Sequence, residues 1–484
     1  MSQMGLSIEL GQFIHSPFFC ANHARSEDSS LHDLRKEAFE IIKMGMTDTV
    51  ATMYAAIKEP VANLLLKNFQ EAGEIVNGST EKKVNHAVFA PVPVFKTHLK
   101  IQQAGFLNAS LGHALDYDDV SLSGHPSVVL GPAVWAVGHA LNSSGEKMLE
   151  AYWVGYEVWA ELLSRETDQY HLKGWHPTAV LGTVACAAAV AYLYQLSATQ
   201  ATHAISLAAS MAGGLTANFG SMSKPMQAGR AVSNAIEAVH FAKNGMEAAS
   251  AVFESNAGFL NAISPKGRVD RQRPARCLNA SRITNTRLSI KQYPMCYSAH
   301  RVIDGVLDAM GSHAFKHTDV SKVHALIGPA QASMLRNHLP QNGLEAKFSL
   351  EFSVASALWA GKVGLSELSD GFVRQDVVQE LMQRVTVEVM DTKCPIDPAF
   401  SVNDRVIIYL KNGQEIDSGD MRFSRGNAFL PVSNEALKQK FLDCWMYGGL
   451  KDEMAFAHVL YERLTHLQDL TSVRSLFSNP SSEV

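Results

Sequence analysis

The sequence predicts a mainly α protein, built as a large all-helical domain plus a smaller α+β lid domain. Three observations lead there. From Leu6 to Ala262 the apolar residues recur at helical spacing, with no convincing alternating strand. Past Ser264 the pattern alternates instead, at residues 320–327, 385–390 and 405–410, which reads as strands with helices between them. From Ser433 to Phe477 the helical period returns. The expected limits are 1–275 for the first part of the helical domain, 276–430 for the lid, and 431–484 for C-terminal helices returning to the helical domain.

In order, residues 6–14 fit a short amphipathic helix and residues 31–56 a longer one, opened by Ser30 with Asp33 three residues on. Pro60 starts another helix, and residues 82–96, broken by Pro91 and Pro93, read as mostly loop. Helical patterns follow from Lys100 through the acidic run ending at Asp119, then at 126–141 and 147–163. Residues 174–223 contain no Asp, Glu, Lys or Arg, although 18% of the chain is charged. A transmembrane hairpin is one reading of such a run. Alanine is barely favourable in lipid, however, and the second half carries Gln200, Thr202, His203, Ser206 and Ser210. A buried central pair, 178–196 and 199–211, is the better account. Residues 224–242 form a further helix with Pro225 in its first turn. A basic, proline-bearing segment at 265–282, which includes Cys277, reads as a linker. In the lid, Asn412-Gly413 after the 405–410 strand is a hairpin signal.

A net charge of −5 argues against nucleic acid or an anionic membrane as partner. The six cysteines are scattered, without the spacing of zinc or iron–sulfur sites. The first residues lack the features of a secretory signal, so the expectation is a reduced, cytoplasmic, enzyme-sized protein.

Four motifs collect chemistry beside helix ends. The run from His113 to Asp119 holds Asp116, Asp118 and Asp119: a solvated acidic turn, a metal site for which the following VSLSGHPS offers few further oxygen ligands, or an anchor that orients a neighbouring imidazole. His125-Pro126 and His176-Pro177 each precede an uncharged helix, where an imidazole sits beside free backbone N–H groups. A lone histidine is usually a packed core residue; two in the same setting are less easily dismissed. Lys224, at a helix start, is electrostatically misplaced unless an anion lies there too.

With these residues in place, LGHALDYDDV followed by GHPS, GWHPTAVLGTVACAAAVA, SMSKPMQAGRAVSNAIEA, ESNAGFL and IKQYPMCYSAH resemble the MmgE/PrpD family. The likeness runs from Ile41 to Leu470. It implies a helical domain with an α+β lid, a homodimer, and an active site between domains that needs no metal and no cofactor. It also implies site positions: His125, His176, Lys224 and Asp116 as catalytic, and Asp118, Asp119, Gln227, Cys296 and His300 as substrate-binding. His300 or Cys296 supplies the lid group. The expected chemistry is carbanion formation next to a carboxylate of a small di- or tricarboxylate, by dehydration or decarboxylation. Epimerisation of a dicarboxylate such as iminodisuccinate, and a non-catalytic binding protein of the same fold, are the alternatives.

Overall fold

The structure is a computed structural model that describes residues 4–20, 29–77, 85–276, 281–395 and 400–478. Cys277 lies outside the described residues. The chain divides into two units, Met1–Ala114 with Asp118–Leu288 and Asn434–Val484, and Leu115–Tyr117 with Ser289–Ser433.

The first unit is built from α1 (Leu6–His15), α2 (Ser29–Ala55), α3 (Pro60–Glu71), α4 (Ile101–His113), α5 (Pro126–Leu141), α6 (Gly145–Leu163), α7 (Pro177–Leu193), α8 (Ala198–Met211) and α9 (Ser223–Lys243). Helices Asn434–Tyr447 and Met454–Thr465 join it, both against α2. Every residue of α7 is buried, and α5, α6, α8 and α9 all pack on it. A helix can be enclosed on all sides only if it brings no charge that would have to be desolvated, and α7 brings none. The uncharged run is thus core. Among the described residues no helix is long and apolar enough to cross a membrane.

Small residues set how closely these helices approach. At Gly229 of α9, a Cβ would lie 2.2 Å from Ser110 Oγ and 2.5 Å from the Phe106 carbonyl oxygen of α4. The contact is backbone on backbone, so α4 and α9 can cross there only with glycine.

Two expectations fail in this unit. Of residues 82–96, read as mostly loop, 82–84 lie outside the described residues and 89–92 form a strand of a three-stranded antiparallel sheet, β1 (Ile75–Asn77), β2 (Phe89–Val92) and β3 (Thr97–Lys100), in the order β1-β3-β2. The helical domain is therefore not all-helical. Pro91 is tolerated because β2 is an edge strand, where a missing N–H costs no ladder bond. Pro93–Phe95 forms a 3-10 turn, and Lys96, at φ 48°, closes the hairpin. The helix expected to run to Asp119 stops at His113. Asp116, at φ 51°, turns the chain out of the helix.

The second unit holds a four-stranded sheet, order β5-β4-β6-β7, from β4 (Val320–Ile327), β5 (Val385–Val389), β6 (Arg405–Leu410) and β7 (Glu415–Asp417). β4 runs parallel to β5 and antiparallel to β6. The Asn412-Gly413 turn joins β6 to β7, with Gly413 at φ 89°. Helix His300–Ser312 packs on β6, and Leu350–Ala360 and Asp376–Gln383 on β5. The fold is therefore a large helical domain with a smaller α+β domain.

Gly229→Ala should destabilise the protein by about 1–3 kcal/mol, because overpacking outweighs the helix propensity gained. At Gly138 of α5 a Cβ would meet its nearest atom at an ordinary 3.4 Å. Gly138→Ala should be neutral or stabilising by up to about 1 kcal/mol. Urea unfolding of the two variants checks the contrast, and equal effects would show that the α4–α9 crossing does not depend on Gly229.

Candidate active site

Both His-Pro pairs serve the same local purpose. His125 is the residue before α5 and His176 the residue before α7, each non-helical, with proline as the first helical residue. Proline disfavours helical backbone at the residue before it, so each histidine is held extended at the mouth of its helix. The two mouths adjoin: the His125 N–H donates to Thr178 Oγ1 at 3.1 Å. At Gly124 a Cβ would lie 3.2 Å from the Thr178 backbone nitrogen, so only the smallest residue permits this approach.

A third imidazole joins them. His113, the last residue of α4, is buried, its ring centroid 4.5 Å from His125 and 5.7 Å from His176. Beneath the group lies Asp118, fully buried. His113 Nδ1 is 3.0 Å from each of its oxygens, and His125 Nδ1 is 3.0 Å from Oδ2. A carboxylate can only accept, so His113 carries its proton on Nδ1, and its Nε2 has no hydrogen-bond partner among the described residues.

His176 is oriented differently. Its Nδ1 is 2.8 Å from Gln227 Oε1, and the Gln227 amide nitrogen donates to the Leu215 carbonyl at 3.1 Å. That donation turns the amide oxygen toward the imidazole, so Nδ1 bears the proton and Nε2 keeps its lone pair. His176 Nε2 likewise has no partner among the described residues. The His176 N–H donates to the Gly214 carbonyl at 3.1 Å, which ties the Gly213-Gly214 loop to the helix mouth.

Lys224, in the first turn of α9, is 5% exposed, and its ammonium lies 5.0 Å from the centre of the Phe219 ring. The same ring stands edge-on to His176 at 4.8 Å. An apolar wall beside the lysine strengthens its field at the imidazoles. Burial, assisted by Lys224, holds His176 well below the ordinary histidine range. Burial, only partly offset by Asp118, pushes His113 down to about 4. Burial alone would raise Asp118, but His113 and His125 outweigh it and hold that carboxyl well below the usual range. Asp119 goes the other way: burial, with Asp48 and Asp118 beside it, raises it well above that range. A carboxylate beneath three imidazoles, with a lysine beside them, makes a cluster suited to proton transfer at the Nε2 atoms. His113, Asp118 and His125 also offer donor atoms within 4.8 Å of one another, a set a metal ion could use.

Of the residues named from sequence, the first unit brings together His125, His176, Lys224, Asp118 and Gln227, with Asp119 buried behind Asp118. The second unit holds Asp116, Cys296 and His300. There, Lys291 Nζ donates to the Asp116 carbonyl oxygen at 2.6 Å and to Oδ1 at 3.0 Å, both side chains buried. His300 is fully buried between the rings of Tyr293 and Tyr297, with Nε2 3.3 Å from the Met295 carbonyl oxygen. Cys296 is buried, its N–H donating to the Lys347 carbonyl. Sequence reasoning assigned no role to His113 or Lys291. The signals were a histidine five positions before Asp118 and a single lysine in the uncharged run IKQYPMCYSAH.

His113 makes stability depend on pH. Folded, it stays neutral down to about pH 4, whereas unfolded it takes a proton near 6.5. Stability is thus lost as pH falls through that window, by about 1.4 kcal/mol per pH unit from this group alone. Urea unfolding of His113→Asn at pH 7, 6 and 5 should show a shallower loss than the parent, and an unchanged slope would contradict the assignment.

Comparison with known proteins finds matches along both parts of the chain. The MmgE/PrpD N-terminal domain matches residues 26–272 and the MmgE/PrpD C-terminal domain residues 293–454. The chain is 26% identical to cis-aconitate decarboxylase of Homo sapiens over 396 residues, 78% of this chain and 79% of that protein. It is 25% identical to cis-aconitate decarboxylase of Mus musculus, with 78% of each chain covered. It is 30% identical to the cis-aconitate decarboxylase-like protein oryM of Aspergillus oryzae, over 70% of this chain and 74% of that protein. With both domain models matched in order across the two units, the chain belongs to the MmgE/PrpD family.

Proposed function

We propose that this protein is a cofactor-independent lyase that acts on a small di- or tricarboxylate by forming a carbanion next to a carboxylate. Decarboxylation of a substrate like cis-aconitate is the favoured outcome. The observation that carries the reading is the convergence of His125 and His176, two helix-mouth imidazoles, beside the buried cation Lys224.

The two histidines differ in what holds Nδ1, and that difference assigns their roles. His176 is backed by a neutral amide and kept uncharged by burial, so its Nε2 is the base. His125 is backed by the Asp118 carboxylate, which stabilises an imidazolium, so it is the acid. Lys224 holds a substrate carboxylate, and its contact strengthens as negative charge builds on those oxygens. In decarboxylation the carbon–carbon bond to the departing carboxylate breaks, CO2 leaves, and the electron pair passes toward a retained carboxylate. His125 then returns a proton to carbon. With a β-hydroxyl in place of the departing carboxylate, His176 removes the α-proton and His125 protonates the leaving hydroxyl, which gives dehydration. Asp118 positions His113 and His125. Gln227 positions His176. The second unit's Asp116–Lys291 pair, Cys296 and His300 are proposed as the lid's contribution, and the functional unit as a symmetric homodimer.

The test is substrate turnover. The chain, in EDTA, is incubated in D2O with cis-aconitate, citrate, 2-methylcitrate and iminodisuccinate, followed by NMR. The proposal expects CO2 loss from cis-aconitate with one deuteron incorporated, no need for added metal, and a dimer mass by light scattering. Deuterium exchange into iminodisuccinate without bond cleavage would favour epimerisation instead. No reaction with any of the four would favour a binding protein.

Lys224→Ala should lower kcat/KM by at least about two orders of magnitude, since it removes a charge-assisted contact made in the transition state. Folding should survive, because alanine is a good helix former in the first turn of α9. Unchanged turnover, or a Tm several degrees lower, would show that Lys224 is structural.

A further inference from the structure

A second cluster of histidines lies at the far end of α5. His139 is in the last turn of that helix and buried; His98 lies in β3 opposite Pro91; His86 belongs to the short turn before β2. Each offers one ring nitrogen, and the three nitrogens fall within 4.8 Å of one another. The closest pair, His86 Nδ1 and His139 Nε2, is 3.1 Å apart. Imidazoles on one tetrahedral zinc, each at about 2.0–2.1 Å, hold their nitrogens roughly 3.3 Å apart, which the His86–His139 pair already matches. The rings are inclined rather than stacked, at 53–65° to one another, as ligands around a common centre must be.

We propose that His86, His98 and His139 form a three-histidine site for a borderline divalent cation of the zinc class, which ties the β2–β3 hairpin to the C-terminal turn of α5. Three neutral imidazoles suit zinc, cobalt, nickel or copper, and not magnesium or calcium, which take oxygen ligands. The place favours a cation as well, being at the negative end of a helix dipole. Arg474 is a nearby positive charge. Its guanidinium is committed to the His139 and Ala140 carbonyl oxygens, which it satisfies at 2.9 and 3.1 Å. The described residues around the three histidines are tied to the scaffold. Asn85 accepts the backbone N–H groups of Val88 and Phe89 around His86, β2 packs on α5, and β3 is the central strand of its sheet. The site is structural and separate from the candidate active site. His125 and His139 stand at opposite ends of α5, roughly 20 Å apart along a helix rising 1.5 Å per residue.

The experiment uses the untagged full-length chain, stripped with EDTA and titrated with Co2+ alone, reading visible d–d absorption, followed by Zn2+ competition. The expected result is one equivalent bound. His86→Ala and His98→Ala should each weaken binding by at least about 100-fold, while His125→Ala keeps it. Zn2+ should raise the Tm of the parent and leave that of the two variants unchanged. His86 is half-buried in a turn, so its variant should fold even if that at His98 does not. Absence of a bound equivalent would overturn the proposal. So would an equivalent that survives His86→Ala and is lost in His125→Ala, which would place the ion at His113, Asp118 and His125.

Discussion

The protein depends on one constraint: α7 carries no charge and is buried along its whole length. A helix enclosed by α5, α6, α8 and α9 leaves few places for polar chemistry in the core, and those places are helix ends, where backbone N–H groups are unpaired. Proline at the start of α5 and of α7 then holds His125 and His176 extended at those ends. The histidines of the candidate site are therefore positioned by secondary structure itself. Helix α9 brings Gln227 up to His176, and the segment before α9 brings Phe219.

Within that frame, the asymmetry of the site comes from what lies behind each ring. Asp118 is held well below the usual carboxylate range because two imidazoles outweigh the cost of burying it, whereas burial, with Asp48 and Asp118 beside it, pushes Asp119, one residue on, well above that range. Gln227 is neutral and fixed by its own bond to the Leu215 carbonyl, so it sets the tautomer of His176 without favouring its charge. A carboxylate behind one imidazole and an amide behind another separate an acid from a base in a single pocket. The proposed mechanism rests on that separation. In the second unit, the Asp116–Lys291 pair is another buried charge kept in place by a partner, since either side chain alone would be costly to bury.

The three-histidine cluster at the other end of α5 follows the same logic with a different result. It too is assembled at a helix terminus, here the negative one, and from elements far apart in sequence. Its ring nitrogens lie against one another, His86 to His139, where those of His113 and His125 in the first cluster lie against a carboxylate. That difference in charge environment is why the first cluster is read as an anion-binding, proton-transferring site and the second as a cation site.

Periodicity and charge in the sequence were enough for the fold class, the buried helix pair, the strands at 320–327 and 405–410, and the hairpin at Asn412-Gly413, because each rests on local pattern or on the cost of burying charge. The likeness in the DYDD, GHPS, WHPT and SKPM motifs was enough for the family. Tertiary structure alone decided the rest. Pro91 and Pro93 looked like loop because the edge position that tolerates them is a property of strand pairing, and pairing is non-local. The helix through Asp116 looked continuous because the left-handed turn there is stabilised by contacts the chain makes later. His113, five residues before the aspartate it serves, and Lys291, 175 residues after the aspartate it pairs with, stood out only as single residues, with no periodic pattern to tie them to their partners. A periodic pattern records which face of an element is buried. Which buried polar groups meet is decided only when separate elements pack.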